Sequence, residues 1–134
     1  MEIRKFVHGE QTRELFALVG EYCVDVKIRA DLGLPISSAP GDLWFVADDA
    51  ERGVVGFCVL TQERTGRQAK LHGFYAKTHI VAKALRKAAT EAAEDLGAGA
   101  MVYTGPAEVE EPWARDGWTP GQARGQYVTY TKGL

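Results

Sequence analysis

Apolar positions change their period along the chain, and those changes divide it into elements. Ile3 to Val7 alternates polar and apolar residues as a short strand does, and His8-Gly9-Glu10 interrupts it. Leu15, Leu18, Val19, Tyr22, Val26 and Ala30 then recur every three or four residues, on one face of a long helix or of two abutting ones. Gly33 ends that pattern. Leu34 to Asp42 cannot continue it, because Pro35 and Pro40 lack an N–H and hold the residues before them extended. Val, Phe and Trp dominate Leu43–Ala47 and Val54–Thr61, and the polar stretch Asp48–Gly53 between them predicts a hairpin. Thr65-Gly66-Arg67 turns the chain again, and Lys70–Ala76 makes a third strand of the meander.

The period then lengthens to that of a helix. Val81, Leu85, Ala88, Ala92 and Leu96 line one stripe, which Gly97 stops. So many alanines suit a helix lying close against a sheet. Ala100–Thr104 is short, apolar and reached by a helical crossover, so it should run parallel to the Lys70 strand. Glu108–Arg115 reads as a short helix closed by Asp116-Gly117, Trp118 begins a return, and Gln126–Lys132 is a last strand. The expected fold is α+β, or mixed α/β: a largely antiparallel central sheet with one parallel strand pair and flanking helices. At 134 residues it suits a single domain, 1–134, with a real core.

Composition removes some function classes. Apolar residues at 46% and charged residues at 25% are ordinary for a folded domain, and a net charge of −2 gives no general attraction to nucleic acid or acidic lipid. No apolar run nears the ~20 residues of a membrane span, and the N-terminus has no apolar signal core, so a cytoplasmic protein without a membrane partner is expected. Cys23 and Cys58 lie among apolar neighbours without metal-ligand spacing, as reduced core residues do. No phosphate-loop motif, nucleophile elbow or metal-spaced His or carboxylate pair occurs, so no metal site is expected. Ser37-Ser38 has no base near it in sequence.

The helix after Ala76 carries its charges against its dipole. Lys77, Lys83, Arg86 and Lys87 cluster at or just before its start and in its first half, and Glu91, Glu94 and Asp95 crowd its end, where each well-placed charge would be worth roughly 0.3–1 kcal/mol the other way round. An anion held by the free N–H groups of the first turn would account for those cations. Solvated surface lysines tolerating a small penalty account for them equally well.

Leu71-His72-Gly73-Phe74-Tyr75-Ala76, with the helix behind it and its Asp95-Leu96-Gly97-Ala98 ending, resembles the fourth strand and third helix of the GNAT (Gcn5-related N-acetyltransferase) family. Met101–Thr104 matches the fifth strand, and Pro112–Trp118 resembles the short helix that ends in a Tyr-x-x-x-Gly-Phe type turn. The resemblance covers nearly the whole chain and lies in order and spacing. Two departures stand out. Lys77–Lys83 is shorter than the family's phosphate turn and has none of its glycines, and Trp113 stands where the family has a leaving-group tyrosine.

The resemblance implies an acyl-CoA-dependent N-acyltransferase, an acetyltransferase taking acetyl-CoA as donor and an amine as acceptor, whether on a small molecule, a protein or a nucleobase. In the family the fourth and fifth strands splay, and the pantetheine arm of the CoA thioester bonds backbone groups in the gap, here those of Phe74, Tyr75 and Ala76. The pyrophosphate would rest around His79, Ile80, Ala82 and Lys83. His72 takes the position of the base, with an ordinary pKa near ~6.5, and Tyr103 or Tyr75 that of the acid in place of the missing tyrosine. A histidine on the exposed face of a strand is the plain alternative for His72. Two other readings stay open: a catalytically inactive GNAT-fold binding or regulatory module, which both departures would explain, and a divergent nucleobase-modifying member, which a mildly basic Arg64, Arg67, Lys70, Lys77 patch permits. The Thr129 and Thr131 face of the last strand offers an edge for a homodimer, with solvent an equal partner.

Overall fold

Strands and helices form in the order that the changes of period predict. The computed structural model describes residues 1–32, 36–63, 67–106 and 110–134. The elements are β1 (Glu2–Val7), α1 (Thr12–Val24), α2 (Val26–Leu32), β2 (Leu43–Asp49), β3 (Gly53–Gln62), β4 (Gln68–Ala76), α3 (His79–Asp95), β5 (Ala100–Pro106), α4 (Glu110–Arg115), β6 (Thr119–Pro120) and β7 (Tyr127–Gly133). The expected boundaries at Gly33 and Thr65-Gly66 lie outside the described residues. The return after Trp118 is a strand of two residues; Gly121 N–H still bonds the Thr129 carbonyl at 2.8 Å, and the exposed stretch behind it rejoins β7 through the Arg124–Tyr127 bridge.

The described strands form one sheet in the order β1-β2-β3-β4-β5-β7-β6. Each neighbouring pair is antiparallel except β4 and β5, which the α3 crossover makes parallel. Both faces are covered, so β2 and β3 are nearly continuous apolar runs. On one face Leu71, Ala69, Leu60 and Met101 pack with Val81, Leu85, Ala89 and Ala93 of α3 and with Trp113 and Trp118. On the other, Trp44, Val46, Phe57 and Val59 pack with Leu15 and Val19 of α1. Trp44 and Trp118 are core residues.

The buried face of α3 is rotated from the expected stripe. Arg86, Ala89, Thr90 and Ala93 are buried with Val81 and Leu85, whereas Ala88 and Ala92 are partly buried and Leu96 is exposed. Alanine marks neither face of a helix, so Ala88 and Ala89 were interchangeable by pattern. The helix also comes very near the sheet. A Cβ on Gly56 would lie 2.7 Å from Val81 Cγ1 and 2.7 Å from the Tyr75 carbonyl oxygen, so only glycine fits there unmoved.

Two features of β4 shape the site. Its register against β3 slips between Val59↔His72 and Phe57↔Tyr75, so Gly73 and Phe74 together oppose Cys58. Gly73 takes the left-handed conformation (φ 55°) that such a bulge requires. Against β5 the ladder runs from Gln68↔Ala100 to Leu71↔Tyr103 and stops there, although both strands continue. Because β5 stays paired with β7 as far as Pro106↔Tyr127, the two parallel strands fork from His72 onward.

Candidate active site

The fork exposes one edge of β4. From His72 to Ala76 the strand bonds β3 on one side, and among the described residues the β5 ladder does not continue on the other, an edge along which an extended ligand can add. Phe74, Tyr75 and Ala76, the expected pantetheine contacts, all lie on this stretch and are half-buried.

His72 is the first residue past the last β4–β5 pair. Its Nε2 lies 2.8 Å from Thr61 Oγ1, and Thr61 in turn donates to Asp42 Oδ1 at 2.8 Å. Asp42 is only 6% exposed, and its other oxygen accepts the Ala39 N–H at 2.9 Å. Burial above all holds the His72 pKa below its ordinary value, with Asp42 pulling it up and Lys70 pushing it down. The ring is therefore neutral near pH 7, as a base must be. Nearby, His8 Nδ1 sits 2.7 Å from Ser38 Oγ, which also accepts the Trp44 indole N–H at 2.8 Å. The base that the sequence around Ser38 lacks thus arrives from 30 residues away, and it ties the loop before β2 to the end of β1.

Tyr103, the last β5 residue paired with β4, packs in the α3-side core, whereas its neighbour in register, Leu71, precedes His72 by one residue and so shares Tyr103's face rather than that of His72. Its hydroxyl reaches over Gly105, beyond the last β4–β5 pair, where a Cβ would collide with it. The ring stacks on Trp113 with centroids 4.0 Å apart and planes 10° from parallel, and Phe74 closes on both at 6.0 and 5.2 Å. Burial, with Tyr130 beside it, pushes the Tyr103 pKa up to about 12, partly opposed by Arg86. Arg86 lies over the Trp113 ring, 5.1 Å from its centroid, and pairs with Asp116 at 2.5 Å.

The start of α3 is simpler than its charges suggest. Thr78 caps it, its hydroxyl accepting the Val81 N–H, and Ala82 N–H bonds the Thr78 carbonyl. His79 and Ile80 keep the N–H groups of the turn that make no hydrogen bond among the described residues. Lys77, His79, Ile80 and Lys83 are exposed, but Arg86 is buried in its ion pair and does not belong to this cluster. Beside the turn, Tyr22, Lys27, Ile28, Tyr75 and Lys77 line a cleft of about 470 Å³ between α1, α2 and the end of β4.

The fork therefore gathers His72, Phe74, Tyr75, Ala76 and Tyr103, and the helix start gathers His79, Ile80, Ala82 and Lys83. Asp42 and Thr61, and the pairing of Arg86 with Asp116, escaped sequence reasoning, since no local pattern joins residues 11 to 30 positions apart. An acyl-CoA fits the frame in part: the open β4 edge suits its pantetheine arm, and two free N–H groups with Lys77 and Lys83 suit a phosphate. Among the described residues no group of His, Cys, Asp and Glu could hold a metal, and no helix is long and apolar enough to cross a membrane. Cys23 and Cys58 are free thiols, and burial raises both pKa values, which disfavours the thiolate form.

No protein-family model matches the sequence, and no curated protein does. Solved structures match the fold closely. TofI superposes with a TM-score of 0.75 at 18% identity over 98% of this chain and 89% of its own. The aminoglycoside 6'-N-acetyltransferase from Enterococcus faecium gives 0.68 at 11% identity over 99% and 97%, and Rv2747 from Mycobacterium tuberculosis, solved with CoA, gives 0.64 at 13% over 100% and 99%. The chain has the GNAT fold, in a sequence far diverged from these proteins.

Proposed function

We propose that this GNAT-fold chain is an acyl-CoA-dependent N-acyltransferase, using acetyl-CoA as donor and an amine as acceptor. The observation that carries the reading is the fork, with a neutral base on one face at its mouth and a protonated phenol on the other. Fold neighbours named for N-acetyl transfer to an aminoglycoside, and one solved with CoA, support the same class of chemistry.

The backbone of Phe74, Tyr75 and Ala76 would hold the pantetheine arm, and His79, Ile80, Lys77 and Lys83 a phosphate. An acceptor amine loses a proton to His72 as its nitrogen bonds the acyl carbon and the C–S bond breaks. Tyr103 keeps its proton at neutral pH. With a pKa about 12 against ~8.5 for a thiol, full transfer to the leaving sulfur would be uphill by roughly 5 kcal/mol, so its part is to donate a hydrogen bond to the developing thiolate. Holding both reactants in the fork supplies the rest, since effective molarities reach ~10⁵ M or more.

The short phosphate turn, with two free N–H groups, favours a second reading: a binding module that has lost catalysis. A thermal titration with acetyl-CoA separates the two. Saturation at a hundred times Kd should stabilise the fold by ~2.7 kcal/mol, and thiol release with a panel of amines should follow. No shift at millimolar acetyl-CoA would refute both readings as CoA binders, while a shift without thiol release from any amine would leave the module.

A further inference from the structure

Asp42 is a buried carboxylate that makes no ion pair among the described residues. Its bonds are to the Ala39 N–H and the Thr61 hydroxyl, and burying such a charge is costly unless something gains from it. An ionised carboxylate only accepts, so Thr61 spends its single proton on Asp42 Oδ1. The 2.8 Å contact between Thr61 Oγ1 and His72 Nε2 must then be one in which Nε2–H donates. We infer that Asp42 and Thr61 are positioning residues that fix the proton of His72 on Nε2 and so make Nδ1 its basic atom.

This rests on the reading of His72 as the base. The proton balance follows directly: the acceptor amine's proton goes to Nδ1, Nε2 keeps its own, Thr61 continues to donate to Asp42, and Asp42 is never protonated. The positive ring formed on the way has the Asp42 charge one hydroxyl away, with Lys70 the opposing cation. A carboxylate serves this purpose where a neutral side chain closing the Ala39–Asp42 turn would not.

Nitrogen-15 NMR of the histidine rings in the intact chain tests the inference without any acceptor. His72→Gln assigns the His72 signals among the three histidines. The expected pattern is an Nε2–H tautomer in the parent, a mixture of tautomers in Thr61→Val, and the parent pattern restored in Thr61→Ser. Asp42→Asn should move the titration of His72 to lower pH, since it removes the group that raises it. An Nδ1–H tautomer in the parent, or ring shifts unchanged in Thr61→Val, would overturn the inference. If Asp42→Asn does not fold, the Thr61 pair decides alone. Thiol release from acetyl-CoA as a function of pH supplies the functional arm: Thr61→Val should lower kcat roughly tenfold or more at unchanged KM for the donor, which a merely structural role would not single out. His72→Ala that keeps full turnover would remove the base and leave the tautomer result standing; loss of turnover in His72→Ala beside unchanged ring shifts in Thr61→Val would remove only the positioning role.

Discussion

Gly56→Ala is the sharpest test of how α3 is seated beside the fork. The added Cβ would lie 2.7 Å from the Tyr75 carbonyl oxygen, 2.7 Å from Val81 Cγ1 and 3.1 Å from Leu85 Cδ1. The first of these is backbone, held by the β3–β4 ladder, and cannot swing away as a side-chain tip can. Relief must come from lifting the first turn of α3, which carries Val81, or from opening the ladder next to the β4 edge. Overpacking of this kind costs about 1–3 kcal/mol. With an unfolding entropy of roughly 2.1 cal/mol/K per residue, 134 residues convert that to a Tm lower by about 4–10 °C. Gly20→Ala makes the matched control: the same methyl on α1, with nothing within 4 Å, should instead stabilise by roughly 0.5–1 kcal/mol. Thermal and urea unfolding of both variants, each with and without acetyl-CoA, separate the cases. Gly56→Ala should lose CoA-dependent stabilisation along with Tm, because His79 and Ile80 move with Val81. Two variants of equal stability would refute the close approach, and a destabilised Gly56→Ala with an undiminished CoA shift would detach the helix start from the cofactor.

Two further outcomes follow from buried charge. Asp116→Ala strands the Arg86 guanidinium against Trp113 and should cost ~3–5 kcal/mol in urea unfolding, whereas Arg86→Met, which removes the charge and keeps the stem, should cost clearly less; the reverse order would show that Asp116 is not what balances Arg86. Burial first, then Lys70, holds folded His72 below its unfolded pKa of ~6.5, so the unfolded chain takes up the extra proton at higher pH than the folded one does. That contribution is whole above pH ~6.5 and is lost as pH falls from there through the folded value, at no more than ~1.4 kcal/mol per pH unit. Urea midpoints measured from neutral to acid pH should fall less steeply in His72→Gln, and parallel curves would show that His72 does not titrate out of register with the unfolded state.

Element order, the antiparallel meander and the parallel pair were legible because each rests on a period or a crossover length, which survive any choice of partner. The bulge was not, since slipping one residue leaves Leu71–Ala76 equally apolar; the isolated Gly73 inside a strand was its one local sign. Arg86 shows the cost of counting charge without partners. Read along the helix it strengthens a basic start, but in the fold it turns into the core and binds Asp116, closing α4 down on α3. What remains at the start is Lys77 and Lys83 with two free N–H groups, a weaker case for a pyrophosphate and a sufficient one for a single phosphate. The same burial bears on the other departure. Trp113, which the sequence resemblance sets against a tyrosine, offers one ring to Arg86 and stacks on Tyr103. Under the proposed function Trp113 holds the Tyr103 phenol in place, so any loss of activity in Trp113→Phe should be matched by Tyr103→Phe and not add to it.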